Sequence, residues 1–530
     1  MPAGGGIIQI AALGRQNDYI NKNPNFTLFK TSHNKYTSFA EDFEYQDMNG
    51  VIAFGAQKAP ATISRYGDLI TDVHLYVTLP PIDAPQDGDW NKFEQTPASG
   101  VLGQPGYVPP VYGYYPKGAY WVNAIGYALI DEVSLEIGSQ DIDTLYSDYL
   151  FMWEELTQRP GARIMEAIGK QQFSEDVESY MIQYSAQQRE LFVQIPFFFN
   201  KYFLEKGLAL PLISLTYHEI KIKISFAKIE DVCCVVVQHP DHPAYDPNRT
   251  EKWLLIEQNL SYPDAPAADI AAGTALPGRG LSRVSPIPIN KNTSNTLQTT
   301  ELVAKLLVTY IYLDVEERNT FSQSDHEMLI TTLQRQQNSI ATAGLPQDSL
   351  KLYFNHPSNF ILWAVRPHNY KTNGGRRRYS VGHKDRFDFT AKVPNPNLDW
   401  GDIVDPITNA TLKLNSHERW PENMSSQFFR TIQPQLKFEN SPTAYLYVFC
   451  FSAAGGVWNP TSTLNFSRIE HTQLDLKYNN IVGAEPSPAQ LLTTNSNVSG
   501  KIQPSDIIMY VESYNLLVVK NGMGGLRFSN

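Results

Sequence analysis

Cys233, Cys234, His239, His242 and Asp246 bring thiol, imidazole and carboxylate groups into one short span, the side chains that bind zinc. Zinc sites space their cysteines so that both sulfurs reach one ion. Adjacent cysteines followed by this His and Asp spacing match no such pattern. The span reads instead as the end of a strand, Val232–Val237, running into a Pro-rich loop. His326-Glu327 has no second histidine four residues on, so it is not the helical motif of a zinc protease. There is no Gly-x-Ser-x-Gly turn to expose a nucleophile and no Gly-x4-Gly-Lys loop to cradle phosphate. The terminal Gly522-Met523-Gly524-Gly525 has no helix after it to hold a nucleotide. No catalytic, cofactor-binding or metal-binding residue is assigned; the chain is read as a non-enzyme without a cofactor.

Binding chemistry leaves three candidates. Asn373-Gly374-Gly375-Arg376-Arg377-Arg378 either meets an anion or an acidic neighbour or forms a solvated turn between strands. Tyr107, Tyr112, Tyr114 and Tyr115 could converge on a sugar, as a lectin would require. Asn25, Asn248, Asn259, Asn292, Asn409, Asn423, Asn465 and Asn497 stand in Asn-x-Ser/Thr sequons, a loose pattern in which chance matches are common.

The elements that position these residues are strands. Ile70–Leu79, Val133–Ile137, Ile220–Phe226 and Leu474–Leu476 carry apolar residues mostly at alternate positions, the period of a sheet with one face in a core. Helical spacing is sparse: Asp143–Leu156, and Ser324–Leu333 behind a Ser324/Glu327 capping box, expected as a bridge between halves. Four stretches recur in order. Ile63–Pro80 pairs faintly with Asn355–Pro367, and Ile130–Phe151 with Ile407–Phe428. Glu190–Phe226 pairs with Ala444–Tyr478, and Ala304–Phe321 with Asp506–Met523. What repeats is strand patterning rather than identity, which predicts two copies of one all-β sandwich. The stretch between Phe226 and Ala304 is roughly fifty residues longer than its counterpart between Tyr478 and Asp506, an insertion in the first copy. Pro81–Tyr120 is a second long, Pro- and Tyr-rich connection. Residues 1–26 are expected to be an extended arm, with Ile7, Ile8, Ile10 and Leu13 seeking a partner surface.

Composition agrees. Aromatics reach 12% of the 530 residues, and 35 prolines and 33 glycines suit many short strands joined by long loops. The net charge of −11 argues against direct wrapping of nucleic acid. Three cysteines, two adjacent, imply no disulfide framework and fit folding in a reducing compartment. Met1–Gln16 lacks a basic segment before its apolar run and does not read as a signal peptide. No stretch approaches the length of a membrane span.

A series of motifs runs through the whole chain: Asn23-Pro24-Asn25-Phe26-Thr27-Leu28-Phe29-Lys30, Gly67-Asp68-Leu69-Ile70-Thr71-Asp72, Leu135–Asp143, Pro196-Phe197-Phe198-Phe199-Asn200, Leu208–Glu219, Tyr312–Arg318, Asn465–Ile469 and Gly522–Asn530. In these blocks and their order the sequence resembles the double jelly-roll major capsid proteins of nucleo-cytoplasmic large DNA viruses, the iridovirus, phycodnavirus and mimivirus-like group. The resemblance implies an all-β chain of two tandem eight-stranded jelly-roll β-sandwiches, with long inserted loops and few short helices. The expected divisions are an arm at 1–26, a first jelly roll at 27–323 with insertions at 81–120 and 230–300, an inter-domain bridge at 324–348, and a second jelly roll at 349–530. It further implies a structural capsid protein that forms homotrimeric, pseudo-hexagonal capsomers of an icosahedral shell. The implied partners are neighbouring capsomers, minor capsid, cement and penton proteins, and an inner membrane reached by the arm. Outward loops are glycan candidates. The protein is expected in the virion, assembled in the host cytoplasm. The rival readings are a carbohydrate-binding jelly-roll protein and a minor capsid paralogue.

Overall fold

The structure, a computed structural model, describes residues 5–12, 35–82, 115–158, 164–170, 184–202, 206–238, 302–340, 347–367, 389–393, 402–479 and 503–528, with short pieces at 23–24, 27–29, 31, 33, 254–255, 386–387 and 482–483. Its contacts divide the chain into two units, Met1–Phe39 and Ala40–Asn530.

In the second unit, strand alternation becomes two face-to-face pairs of sheets. The first half supplies β1 (Phe39–Asp47), β2 (Ala59–Thr62), β3 (Leu69–Leu79), β4 (Ile130–Ile137), β5 (Gln140–Tyr146), β6 (Arg189–Gln194), β7 (Ile220–Phe226) and β8 (Val303–Leu313). One sheet runs β1-β8-β3-β6 and the other β2-β7-β4-β5. The second half supplies β9 (His326–Ser339), β10 (Gln347–Lys351), β11 (Pro357–Pro367), β12 (Ile407–Leu414), β13 (His417–Glu418), β14 (Tyr447–Cys450), β15 (Thr472–Tyr478) and β16 (Gln503–Lys520). Here the sheets run β9-β16-β11-β14 and β10-β15-β12-β13. The two halves therefore share one strand order, position for position. A hairpin strand, β17 (Met523–Leu526), folds back on β16.

Period-two burial follows from this pairing. In β3, Val73, Leu75, Val77 and Leu79 point into the first sandwich, opposite Val133, Leu135, Ile137, Ile220, Ile222 and Ile224 from the other sheet. In the second sandwich Ile361, Trp363, Val365, Leu474, Leu476 and Met509 play this part. The duplication extends to turns. Gly138-Ser139 joins β4 to β5 with φ of 56° and 73°, and Asn415-Ser416 joins β12 to β13 with φ of 47° and 68°. Two consecutive positive φ values give the primed turn whose twist suits a tight hairpin.

Three expectations need correction. The helix over Asp143–Leu156 begins only at Ser147: it is α2 (Ser147–Thr157), because the Gly138-Ser139 turn commits residues 140–146 to pair with β4. Ser324–Leu333 is not helical. The helix is α3 (Val315–Gln323), capped by Asp314, whose Oδ1 accepts from the Val315 N–H at 2.7 Å. After it, β9 pairs with β16 from His326↔Val519 to Ser339↔Asp506. A long partner strand outweighs a local capping signal. In the first unit, Gly5–Ala11 (α1) is a short helix rather than an extended arm, closed by a 2.9 Å bond from the Ala12 N–H to the Ile8 carbonyl. Ile7, Ile8 and Ile10 are exposed on it, and Leu13 lies outside the described residues.

Candidate functional site

With no reaction centre assigned, the geometry that matters is how the two sandwiches are held together. Alternation along β11, β14 and β16 divides the sheet β9-β16-β11-β14 into two buried faces. Ile361, Trp363, Tyr447, Phe449, Ile507 and Met509 fill the second sandwich itself. Their neighbours Phe360, Leu362, Leu446, Val448, Ile508 and Tyr510 join the hydrophobic cluster of the first half. A sheet buried on both faces needs a second layer, and α2 provides it. Trp153 stacks on Phe360 at 6.2 Å, Tyr149 meets Tyr510 at 5.5 Å, and Phe151 stacks on Phe387 at 4.4 Å. Ten consecutive residues of α2, Ser147–Leu156, are buried.

Charge is buried in the same layer, and buried charge must be paired and hydrogen-bonded. Lys201, on the turn after β6, forms an ion pair with Glu512 of β16 and donates to Tyr149 Oη at 2.6 Å. Its ammonium lies 4.1 Å from the Trp153 ring centroid, a cation–π contact. The other Glu512 oxygen accepts from Tyr202 Oη and Asn359 Nδ2, each at 3.0 Å. Asp148 of α2 pairs with Arg366 of β11 at 2.6 Å. Asp143 accepts the Leu333 N–H at 2.9 Å. Burial pushes its carboxyl up to about 6, against the pull of that N–H and of Lys201 and with a further push from Glu512. At the end of α2, Glu155 accepts from the Thr443 N–H and hydroxyl, each at 3.0 Å, and pairs with Lys170, which also reaches Glu154 at 3.1 Å. Burial alone would raise the Glu155 carboxyl; Lys170 and Thr443 more than reverse this and hold it low.

A third tie comes from the C-terminal hairpin. Asn521-Gly522 turns with φ of 51° and 78°. The Gly522 carbonyl accepts the Tyr217 N–H at 3.0 Å, the Gly524 N–H donates to His218 Nδ1 at 3.2 Å, and the Leu526 N–H donates to Gln140 Oε1 at 3.2 Å. A Cβ on Gly524 would sit 2.6 Å from Leu215 Cδ2 and 3.2 Å from Ile137 Cγ2, so any larger residue requires the Leu215 side chain to shift. The terminal Gly-Met-Gly-Gly is thus a strap onto the first sandwich.

Cys233 and Cys234 fall on the strand Cys233–Gln238, which pairs with Tyr115–Trp121 and so joins one end of each long first-half connection. His239, His242, Asp246, Tyr107, Tyr112, Tyr114, the Arg376–Arg378 run and most of 81–120 and 230–300 lie outside the described residues. So do the sequons at Asn25, Asn248, Asn259, Asn292 and Asn497. Asn409 donates to the Asn423 carbonyl at 2.6 Å, Asn423 accepts from Lys477, and Asn465 accepts the Ser467 N–H at 3.0 Å. Among the described residues no group of three or more His, Cys, Asp or Glu could hold a metal ion. Sequence reasoning missed Lys201, Glu512, Asp148 and Arg366. Their only signal was a charge at an otherwise apolar strand or helix position or, for Lys201, just after the apolar run Pro196–Phe199.

Comparison with known proteins agrees with this architecture. A family profile described as the major capsid protein N-terminus matches residues 27–314, and one described as the large eukaryotic DNA virus major capsid protein matches 317–525. The chain belongs to the major capsid protein family of large eukaryotic DNA viruses. It is 27% identical to the probable capsid protein 4 of Acanthamoeba polyphaga mimivirus, over 99% of each chain. It is 26% identical to the major capsid protein of Paramecium bursaria Chlorella virus 1, over 99% of this chain and 100% of that one. Among solved structures, a chain of the PBCV-1 virus capsid superposes with a TM-score of 0.61 at 23% identity, covering 95% of this chain and 100% of the other. The Faustovirus major capsid protein superposes with a TM-score of 0.55 at 13% identity, covering 94% and 93%. The double jelly-roll fold is shared, and the protein is a structural capsid component.

Proposed function

We propose that three copies of this chain close into a pseudo-hexagonal capsomer, and that such capsomers tile the icosahedral shell of a large DNA virus. The observation that carries this reading is the internal one: two sandwiches of identical strand order, fixed to each other by α2, buried ion pairs and a C-terminal strap. A chain with two equivalent lobes gives six lobes in a trimer, which imitates a hexagon and packs against like neighbours. In this reading the chain is no enzyme. Its partners are neighbouring capsomers together with minor capsid, cement and penton proteins, and its site of assembly is the host cytoplasm. The isoleucine-bearing segment around Ile7, Ile8 and Ile10 serves an attachment at the inner side of the shell, and outward loops carry any glycans.

Electron microscopy of particles assembled from the full chain tests this. Six-lobed units with threefold symmetry are expected on the shell faces. Particles built from separate single-lobed or dimeric units would refute the reading.

A further inference from the structure

Each half of this chain carries the same two surfaces, and among the described residues only one of each is covered. In the first half the helix after the β4–β5 hairpin, α2, covers a sheet face. In the second half the sheet β9-β16-β11-β14 is the face so covered. Among the described residues the counterparts have no partner. The second half's segment after the β12–β13 hairpin is a π-helical turn, Phe428–Ile432, continuing into α4 (Gln433–Lys437). Its inner side is anchored by Phe429, which packs 5.3 Å from Trp363. Its outer side presents Ile432 and Leu436, 43% and 66% exposed and four residues apart, hence on one face. The first half's sheet β1-β8-β3-β6 likewise has an inner face in its core and an outer face of aromatic rings. Tyr45 meets Tyr76 at 5.5 Å, and Tyr76 meets Phe192 at 5.1 Å, a strip across β1, β3 and β6. Phe43, Tyr45 and Phe192 on β1 and β6 are 60%, 50% and 36% exposed.

We infer that the Ile432/Leu436 face of one copy docks on the Tyr45–Tyr76–Phe192 strip of the next, repeating between chains the helix-on-sheet contact that α2 makes within a chain. The occupant is a second copy because the fold itself contains the template: the same helix position on the same sheet position, buried with paired charges. Such a contact is head-to-tail, with different patches on the two sides, and head-to-tail contacts close into rings when the rotation allows. Charge is mixed on both sides: Arg430, paired with Asp405, and Lys437 flank the apolar pair on the helix, while Glu41 and Glu190 are exposed beside the strip and Lys305 pairs with Asp47 within it.

The inference rests on the three-copy reading, and the test separates the two. Leu436→Asp and Phe192→Asp change exposed positions and leave both cores intact. Each is expected to weaken trimer association at least about tenfold in its equilibrium constant, the effect of roughly 1.4 kcal/mol, read as a dissociation shifted to higher concentration. Far-ultraviolet circular dichroism and melting are expected to stay unchanged. A Leu436→Cys/Phe192→Cys chain treated with a short bis-maleimide is expected to give covalent species up to three chains. Each single-cysteine variant should remain at the background that the native cysteines set in the unmodified protein. An unmodified chain that runs as a single 59.8 kDa species overturns the three-copy reading and the contact with it. An unmodified trimer whose aspartate variants stay trimeric, and whose double-cysteine variant shows no cross-linking above background, overturns this contact alone.

Discussion

Lys201 and Glu512, 311 residues apart in sequence, form an ion pair across the junction of the two sandwiches, with side chains only 5% and 1% exposed. The pair is enclosed by Tyr149, Tyr202, Asn359 and the Trp153 ring, so each charge has hydrogen-bond partners besides the other. Such a pair is expected to fix which lobe surface meets which more than to add stability, because desolvation offsets much of the attraction.

Removing one partner exposes the asymmetry. Glu512→Ala leaves a buried ammonium unpaired and is expected to cost about 3–5 kcal/mol. Because the loss falls at the junction, calorimetry of the variant should show the two lobes melting in separate transitions. Replacing both charges, Lys201→Met with Glu512→Leu, should restore most of the loss. A single-residue variant that melts like the unmodified protein would show that the pair is not enclosed as described.

Asp143 makes the junction pH-sensitive in a definite direction. Its folded carboxyl, pushed up to about 6 by burial, lies above its ordinary value of 3.8, so the folded chain holds the proton over that window and the unfolded chain does not. The stability this group contributes is therefore full below about 3.8 and is lost as pH rises through 6. Asp143→Asn keeps an oxygen for the Leu333 N–H and removes the buried charge. The variant should gain on the order of 1–3 kcal/mol over the unmodified protein at pH 7.5 and little at pH 4.5. Denaturant midpoints at the two pH values check this; a difference that does not change with pH would contradict it.

The strap depends on glycine. Gly524→Val places methyl groups where a Cβ alone already meets Leu215 at 2.6 Å, and either Leu215 or the hairpin must move. The expected cost is about 1–3 kcal/mol, typical of overpacking, together with faster hydrogen exchange at the Tyr217 and Leu526 amides, which bond across the strap. Unchanged exchange at both amides would mean that the strap does not hold the lobes.

The sequence made the central strands legible and hid the edges and the junction. β3, β4, β7 and β15 announce themselves because one face is core and the other is polar, so alternation survives in the residues. β9 did not. Its Gln334 and Gln336 side chains bond to the backbone of residues 351–355, so polar residues occupy strand positions, and a chance Ser-x-x-Glu suggested a helix. β1, exposed along nearly its whole length, has no alternation to read. β11 lost its alternation for the opposite reason, because α2 buries its outer face and both parities became apolar. The junction was illegible since the ion pairs Lys201–Glu512 and Asp148–Arg366 each join the two halves of the chain, and a lone charge in a strand, helix or turn looks like one facing water.

The N-terminal segment gives a prediction independent of the lobes. Ile7, Ile8 and Ile10 are exposed on α1, an apolar face on a helix too short to be stable in water by itself. Deleting residues 2–20 is expected to spare trimer formation and to weaken shell assembly, seen as fewer intact particles by sedimentation. Shells as stable as those of the full chain would mark the segment as a loose tail.

In the proposed function the chain is a rigid two-lobed unit that associates in threes. Native mass spectrometry of the full-length protein near neutral pH tests it most directly. A single dominant species at three times 59.8 kDa is expected across the micromolar range. A species at 59.8 kDa that persists at every concentration, or a dominant dimer, would contradict it.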